Sequence, residues 1–448
     1  MLRPTIHFQP LQHWMNDPNG LIFFEGYYHL FYQYNPHGDT WGNIHWGHAK
    51  SIDGVHWTHL PIALFPSLDH GEIHCFSGCC VLDPQGIPTI LYTSIGRDED
   101  GRDCFSGAQQ WMAQSMDGLL TWTKPSFNPI LTKEAHPGFI PTDWSDPYVW
   151  KDKASYWMTL GAGDKRFGYA YLYTSMDLKS WTYVSTMAKR DVPLIECPNL
   201  IDFGTKQILM YSPGTGVYAE VGLLKDGIFT AEQTHVVDYG HRANYYAAHT
   251  LQLPDRKIVF SWIPEDDRRS TEIKGYNGAL AYPRVLTLVD DVPHYKPLES
   301  MESLRVSSTK MVNLSLETTT ILRHQPRALE LRFETDRADI VFINLLASPD
   351  GREMTTLIFD FEKGSFLLDR SLSSLSDKPE KSNLKAPITV EKNNSVIVYL
   401  DHSIIEVFIN ETTCLSARVY PTLPDSDGVA LVGSGILNTF EMHVLSVL

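Results

Sequence analysis

The chain has 448 residues, which at about 150 residues per domain sets an expectation of two or three domains. Lys and Arg number 37 against 53 Asp and Glu, a formal net charge of −16. That balance argues against nucleic acid and against an anionic membrane as partner, since both need clustered positive charge. It leaves a neutral ligand such as a sugar open.

The opening residues, Met1 to His7, lack the apolar core of a secretory leader. The expectation is a cytoplasmic chain or one whose leader has been removed. No run approaches the roughly 18 apolar residues of a membrane helix.

Helical periodicity is scarce along the first 300 residues. Short alternating runs dominate instead, among them Tyr27-Tyr-His-Leu-Phe-Tyr, Thr89-Ile-Leu-Tyr-Thr, Tyr169-Ala-Tyr-Leu-Tyr and Lys257-Ile-Val-Phe-Ser-Trp. Gly, Asp and Pro punctuate them, which reads as many short strands. His45 and His48 stand three apart in such a run and so fall on opposite strand faces. The six cysteines show no zinc spacing, and no metal is expected.

A repeat crosses this region. Ser51-Ile-Asp-Gly-Val-His-Trp57 returns as Ser115-Met-Asp-Gly-Leu-Leu-Thr-Trp122 and as Ser175-Met-Asp-Leu-Lys-Ser-Trp181. Ser and Asp in each copy can form a local side-chain turn. A period near 60 residues fits a four-stranded propeller blade with long loops, and residues 1–295 then hold five blades. The stretch 296–305 reads as a linker. Beyond it Trp disappears, and residues 306–448 keep the strand alternation, most simply as a β-sandwich. The expected fold is therefore all-β, a five-bladed β-propeller followed by a C-terminal β-sandwich.

In a propeller the innermost strands converge on one axis. Three acid-plus-proline sites fall at such positions: Asn16-Asp17-Pro18 in the first blade, Ser145-Asp146-Pro147 in the third and Glu196-Cys197-Pro198 in the fourth. Asp69 and Glu72 precede the second inner strand. Converging carboxyl groups are what glycoside hydrolysis needs, one to attack the anomeric carbon or activate water and one to protonate the leaving oxygen. Aromatic residues make up 12% of the chain, and such rings suit the apolar face of a sugar. All-β cores are equally aromatic, and Asp-Pro is a common turn dipeptide, so residue types alone stop at a sugar-binding or sugar-cleaving propeller.

His13-Trp-Met-Asn-Asp-Pro-Asn-Gly20 closely resembles the N-terminal signature of glycoside hydrolase family 32, the invertases, inulinases, levanases and related fructosyltransferases. Phe31-Tyr-Gln-Tyr-Asn-Pro36, Trp41-Gly-Asn-Ile-His-Trp-Gly-His48, Phe76-Ser-Gly78, Ser145-Asp-Pro147, Glu196-Cys-Pro198 and Asp401-His-Ser-Ile-Ile-Glu406 extend the likeness over essentially the whole chain.

The resemblance implies a retaining β-fructofuranosidase acting on sucrose or on inulin-type or levan-type fructans, without cofactor. Asp17 would be the nucleophile, Glu196 the general acid and base, and Asp146 the stabiliser of the transition state. Their carboxyl pair would stand about 5–5.5 Å apart. Asn16, Gln33, Trp41, Phe76 and Ser77 would bind substrate, and Trp14 is expected to be structural. A fructosyltransferase on the same site, a fructan-binding lectin and an inverting pentosidase are the alternatives.

Two positions depart from the family pattern. Ser145 stands where the family usually has Arg, and Asn244 where it often has Asp. Both are expected at the substrate site, with Arg166 or Arg190 as possible replacements for the missing cation.

Overall fold

A computed structural model describes residues 2–136, 138, 142–266 and 275–447. Five antiparallel sheets form the five-bladed propeller. Blade one runs outward from His13–Phe24 through Tyr27–Asn35 and His45–Ser51 to Trp57–Leu64. Blades two, three and four begin at His74–Leu82, Asp143–Asp152 and Glu196–Asp202. Blade five begins at Tyr246–Gln252.

The five innermost strands touch in a closed ring, each packing on the next and the fifth on the first. A two-residue strand from beyond blade five, Tyr276–Asn277, pairs in parallel with His13 and Trp14 and reinforces the seam. Packing the five blades about one axis covers the inner edge of each sheet and leaves only the short outer strands as edges. The inner strands are buried on both faces although polar residues such as Asn16, Asn19, Ser77 and His249 interrupt them.

The repeated Ser-x-Asp segments make local turns at the blade periphery. Ser51, Ser115 and Ser175 each donate to the Asp two residues on, and each accepts a main-chain N–H from the turn. The side chains thus take over main-chain groups that no strand partner reaches.

The C-terminal unit is a β-sandwich built around one long strand, Gly428–Leu445. Its first half pairs with Arg337–Ala347 and its second half with Ala328–Thr335, so it serves both layers. The change of layer falls at Gly435, whose φ is +99° and where a Cβ would lie 2.1 Å from the Arg337 carbonyl oxygen. Phe333, Phe359, Leu357 and Phe440 are part of the core between the layers. The segment between the two units contains a short 3₁₀ helix, Glu299–Leu304, with Met301 and Leu304 buried.

Propeller and sandwich are joined through charge as well as apolar surface. Arg284 is fully buried and reaches Asp238 at 2.8 Å and Glu406 at 2.7 Å. His7 bridges Asp401 and Glu406 at 2.8 and 3.0 Å. Asp401 accepts the N–H groups of Thr5, Ile6 and His7, and against burial the side chains of His402 and His7, with the Thr5 N–H, hold its carboxyl far below the usual range.

Candidate active site

Each innermost strand carries a β-bulge near its start, where two residues face one on the neighbouring strand. The pairs are Asn16 and Asp17 across Gln33, Phe76 and Ser77 across Thr93, and Asp146 and Pro147 across Leu160. Cys197 and Pro198 face Tyr211, and Ala247 and Ala248 face Ser261. A bulge breaks the strict alternation of a strand and re-aims side chains. Here five bulges stand around one axis, and adjacent residues can serve the same cavity.

Three of the bulges hold a non-glycine residue in left-handed conformation: Asp146 at φ +62°, Cys197 at +48° and Ala247 at +52°. Such conformations persist where surroundings enforce them. For Asp146, Thr93 Oγ1 accepts its N–H at 3.0 Å, and its own Oδ2 accepts the Cys197 N–H at 3.0 Å.

The three acids take staggered places on this frame. Asp17 is the second residue of its bulge, Asp146 the first of its own, and Glu196 the residue just before the bulge. All three line one cavity of about 1030 Å³. Trp41, Phe76 and Phe105 form an aromatic wall, with Trp41 42% exposed. Arg370, Glu380, Arg418 and Tyr420 of the sandwich complete another side.

Asp17 is held by donors on both oxygens. Ser77 donates to Oδ2 at 2.8 Å and Asn16 to Oδ1 at 3.1 Å, while Gln33 bonds Asn16 and Ser77 from behind. Burial pushes the Asp17 carboxyl up from its ordinary value, and Ser77, Asn16 and the charge of Arg242 pull it back. Burial also raises Glu196, with Tyr246 and Arg242 opposing and Asp17 and Asp143 adding to the rise. Asp146 is pushed up to about 7 by burial and by the charges of Glu196 and Asp17. Several carboxyl groups crowded into one recess cannot all ionise freely, so the cavity retains protons near neutral pH.

All the residues expected at the site line the cavity except Ser77, which lies behind Asp17. Asn244 lines it too, but its amide spans Gly240 and Arg418 at 2.9 Å each and so helps to join the two units. Trp14, expected to be structural, is part of the cavity wall. Its Nε1 donates to Asn16 Oδ1 at 2.8 Å, because residues two apart share a strand face. Asp69 is exposed, and Glu72 is buried in an ion pair with Lys124.

The cation near the acids comes from neither expected source. Arg190 is bound to Glu220 at 2.7 Å, and Arg166 lies over the Phe167 ring. Arg242 fills that part instead, with Nη1 3.9 Å from Glu196 Oε2. Tyr246, whose OH donates to the same oxygen at 2.5 Å, is the second residue that sequence reasoning missed. No local sequence signal marks it; in the structure Tyr246 precedes the bulge of blade five as Glu196 precedes that of blade four.

A five-bladed ring with carboxyl groups and aromatic rings gathered at its axis defines a sugar-cleaving enzyme, a glycoside hydrolase. Residues 7–297 match the glycosyl hydrolases family 32 N-terminal domain and residues 300–445 the family 32 C-terminal domain, so the chain belongs to glycoside hydrolase family 32. It is a hydrolase of the β-fructofuranosidase type.

Its relatives include a sucrose-6-phosphate hydrolase of Zymomonas mobilis, 33% identical over 99% of this chain and 92% of that one. A β-fructofuranosidase of Arabidopsis thaliana, insoluble isoenzyme CWINV3, is 30% identical over 94% of this chain and 84% of its own. Among solved structures, the exo-inulinase of Aspergillus awamori superposes with a TM-score of 0.86 at 26% identity, covering 99% of this chain and 98% of that one.

Proposed function

We propose that the protein is a retaining β-fructofuranosidase. Asp17 attacks C2 of a β-fructofuranosyl unit while Glu196 protonates the leaving oxygen. Water activated by Glu196 then releases fructose from the covalent fructosyl-enzyme, with the two carboxyl groups at the retaining separation of about 5–5.5 Å. Asp146 holds fructose hydroxyls and stabilises the transition state. Residues 1–295 form the catalytic unit, 296–305 the linker and 306–448 the sandwich that walls one side of the site.

The observation that carries this reading is the placing of two differently bonded acids in one cavity. Burial raises both carboxyl groups. Asp17 accepts hydrogen bonds on both oxygens, which favour the ionised nucleophile, whereas Glu196 is bonded on Oε2 and is raised further by Asp17 and Asp143, as a proton donor requires. Asn16, Gln33 and Ser77 orient the nucleophile, and Trp41, Phe76 and Ser145 face the sugar.

The substrate is a β-fructofuranoside: sucrose, an inulin-type or a levan-type fructan. The names of the relatives add sucrose 6-phosphate and 1-kestose to the set worth testing. Products from each are to be measured, with methanol present to trap the intermediate. Methyl β-fructofuranoside supports retention, and the inverted anomer overturns it. Oligomeric products at high substrate would identify a fructosyltransferase, and binding without cleavage a lectin. Asp17→Asn and Glu196→Gln are each expected to fold normally and to lose about 10²–10⁴-fold in turnover or more.

A further inference from the structure

Glu196 meets its surroundings unequally at its two oxygens. The Tyr246 hydroxyl accepts the Gly214 N–H at 2.6 Å, which occupies its acceptor side and leaves its one proton to donate. Two acceptors lie in reach, Glu196 Oε2 at 2.5 Å and the Ser212 carbonyl oxygen at 3.3 Å. The shorter, charge-assisted bond wins.

Arg242 approaches the same Oε2, with Nη1 at 3.9 Å. Its guanidinium lies over the Tyr246 ring, Cζ 4.5 Å from the centroid, so the pair forms one stacked unit. The Arg242 side chain is 56% exposed and lines the cavity, whereas Tyr246 is buried. The other charged or titratable groups facing Glu196 are Asp17, Asp143, Asp146 and the Cys197 thiol. None of these carboxyl groups can donate to Oε2 when ionised.

We propose that Tyr246 and Arg242 are positioning residues for the general acid, holding Oε2 of Glu196 so that Oε1 alone carries the proton to and from the reacting oxygen. The inference rests on Glu196 being that acid. In the first step an Asp17 oxygen bonds to C2, the C2–O bond to the leaving group breaks, and the proton on Oε1 passes to that oxygen. In the second, water bonds to C2, its proton returns to Oε1, and the C2–Asp17 bond breaks. Oε2 keeps the same partners through both steps, so the carboxyl group need not rotate between roles.

The test compares Tyr246→Phe and Arg242→Gln on two substrates, sucrose and β-D-fructofuranosyl fluoride. Fluoride departs with little need of a proton, so kcat/KM for it, which reports bond breaking, is nearly blind to the acid. Tyr246→Phe should lose about tenfold or more in kcat/KM on sucrose and Arg242→Gln about threefold or more, with both within about threefold of the parent on the fluoride at pH values above the acid limb, where Asp17 is ionised with or without the charge of Arg242. Both variants remove a group that favours ionised Glu196. The alkaline limb of the sucrose profile should therefore move to higher pH.

Parallel losses on both substrates, or an alkaline limb that stays in place, would overturn the proposal. Arg242 is exposed, so Arg242→Gln decides the matter even if Tyr246→Phe fails to fold. Glu196→Gln run alongside separates the two claims. If it spares sucrose, Glu196 is not the acid; if it abolishes sucrose turnover while the two variants behave like the parent, the positioning claim alone fails.

Discussion

The Cys197 N–H donates to Oδ2 of Asp146 at 3.0 Å, tying the peptide that follows Glu196 on blade four to the acid of blade three. Blade one meets the same pair through Asp17, whose charge raises both Asp146 and Glu196. The site is therefore a junction of three blades in which each carboxyl group alters the protonation of the others.

That crowding should appear in stability. Asp146 stands at about 7 in the folded protein against 3.8 in an unstructured chain. The folded state binds this proton more tightly, so ionisation works against folding. The penalty is absent below about pH 4, grows as pH rises through 4 to 7, and is complete above. Asp146→Asn keeps an acceptor for the Cys197 N–H but cannot ionise. Its melting temperature should exceed the parent's at pH 8 and converge with it near pH 4, while activity falls. A difference in melting temperature that does not vary with pH would contradict this account.

Ser77→Ala removes the 2.8 Å donor from Asp17 Oδ2. A hydrogen bond to a charged group contributes about 1.5–3 kcal/mol, or roughly one to two pKa units. Asp17 must be ionised to attack, so the acid limb of kcat/KM should move up by about that much. The loss is expected to be greater at pH 5 than at pH 7. An unmoved acid limb would show that Asn16 and Gln33 suffice.

Trp41 lies on the cavity wall with 42% of its surface exposed, beside Phe76. A ring that stacks on the sugar equally in ground and transition states contributes uniform binding. Trp41→Ala should then raise KM about tenfold with kcat within about threefold of the parent, read from initial rates over a wide substrate range. A fall in kcat at unchanged KM would mean that the ring acts on the transition state.

Much of this arrangement was legible in the chain. Short punctuated runs and the Ser-x-Asp repeat led to blades, because side-chain turns and period-two alternation are local properties. Asp17, Asp146 and Glu196 were legible because acid-plus-proline sites recur at blade starts. Register was not legible. A bulge inserts one residue; Pro147 and Pro198 are compatible with one, but nothing local in Asn16-Asp17 or Ala247-Ala248 announces it. Hence Trp14 was assigned away from a cavity that it lines, and Tyr246 went unseen although it occupies the place in blade five that Glu196 has in blade four. Arg242 was missed for a related reason. Arg166 and Arg190 stand nearer the third-blade acid in sequence, whereas Arg242 lies just ahead of the inner strand of blade five, which packs on the blade-four strand that carries Glu196.

The buried joint between the units is the last element open to direct test. Arg284 places one guanidinium nitrogen between Asp238 and Glu406, and its plane lies over Tyr245 at 4.3 Å and Phe408 at 5.0 Å. Arg284→Met preserves much of the apolar stem but strips the cation from two fully buried carboxylates. Removing one partner of a buried ion pair costs about 3–5 kcal/mol, because the remaining charge keeps its desolvation penalty. His7 still reaches Glu406, but it faces Asp401 as well and cannot neutralise all three acids. Asp238 also accepts from Ser416, on the strand that continues to Arg418 in the cavity wall. The variant should melt at markedly lower temperature and lose turnover as that wall loosens. The double variant Arg284→Met with Asp238→Asn should recover part of the stability, since it removes one uncompensated charge. No recovery in the double variant would place the cost in lost packing on Tyr245 and Phe408 rather than in charge.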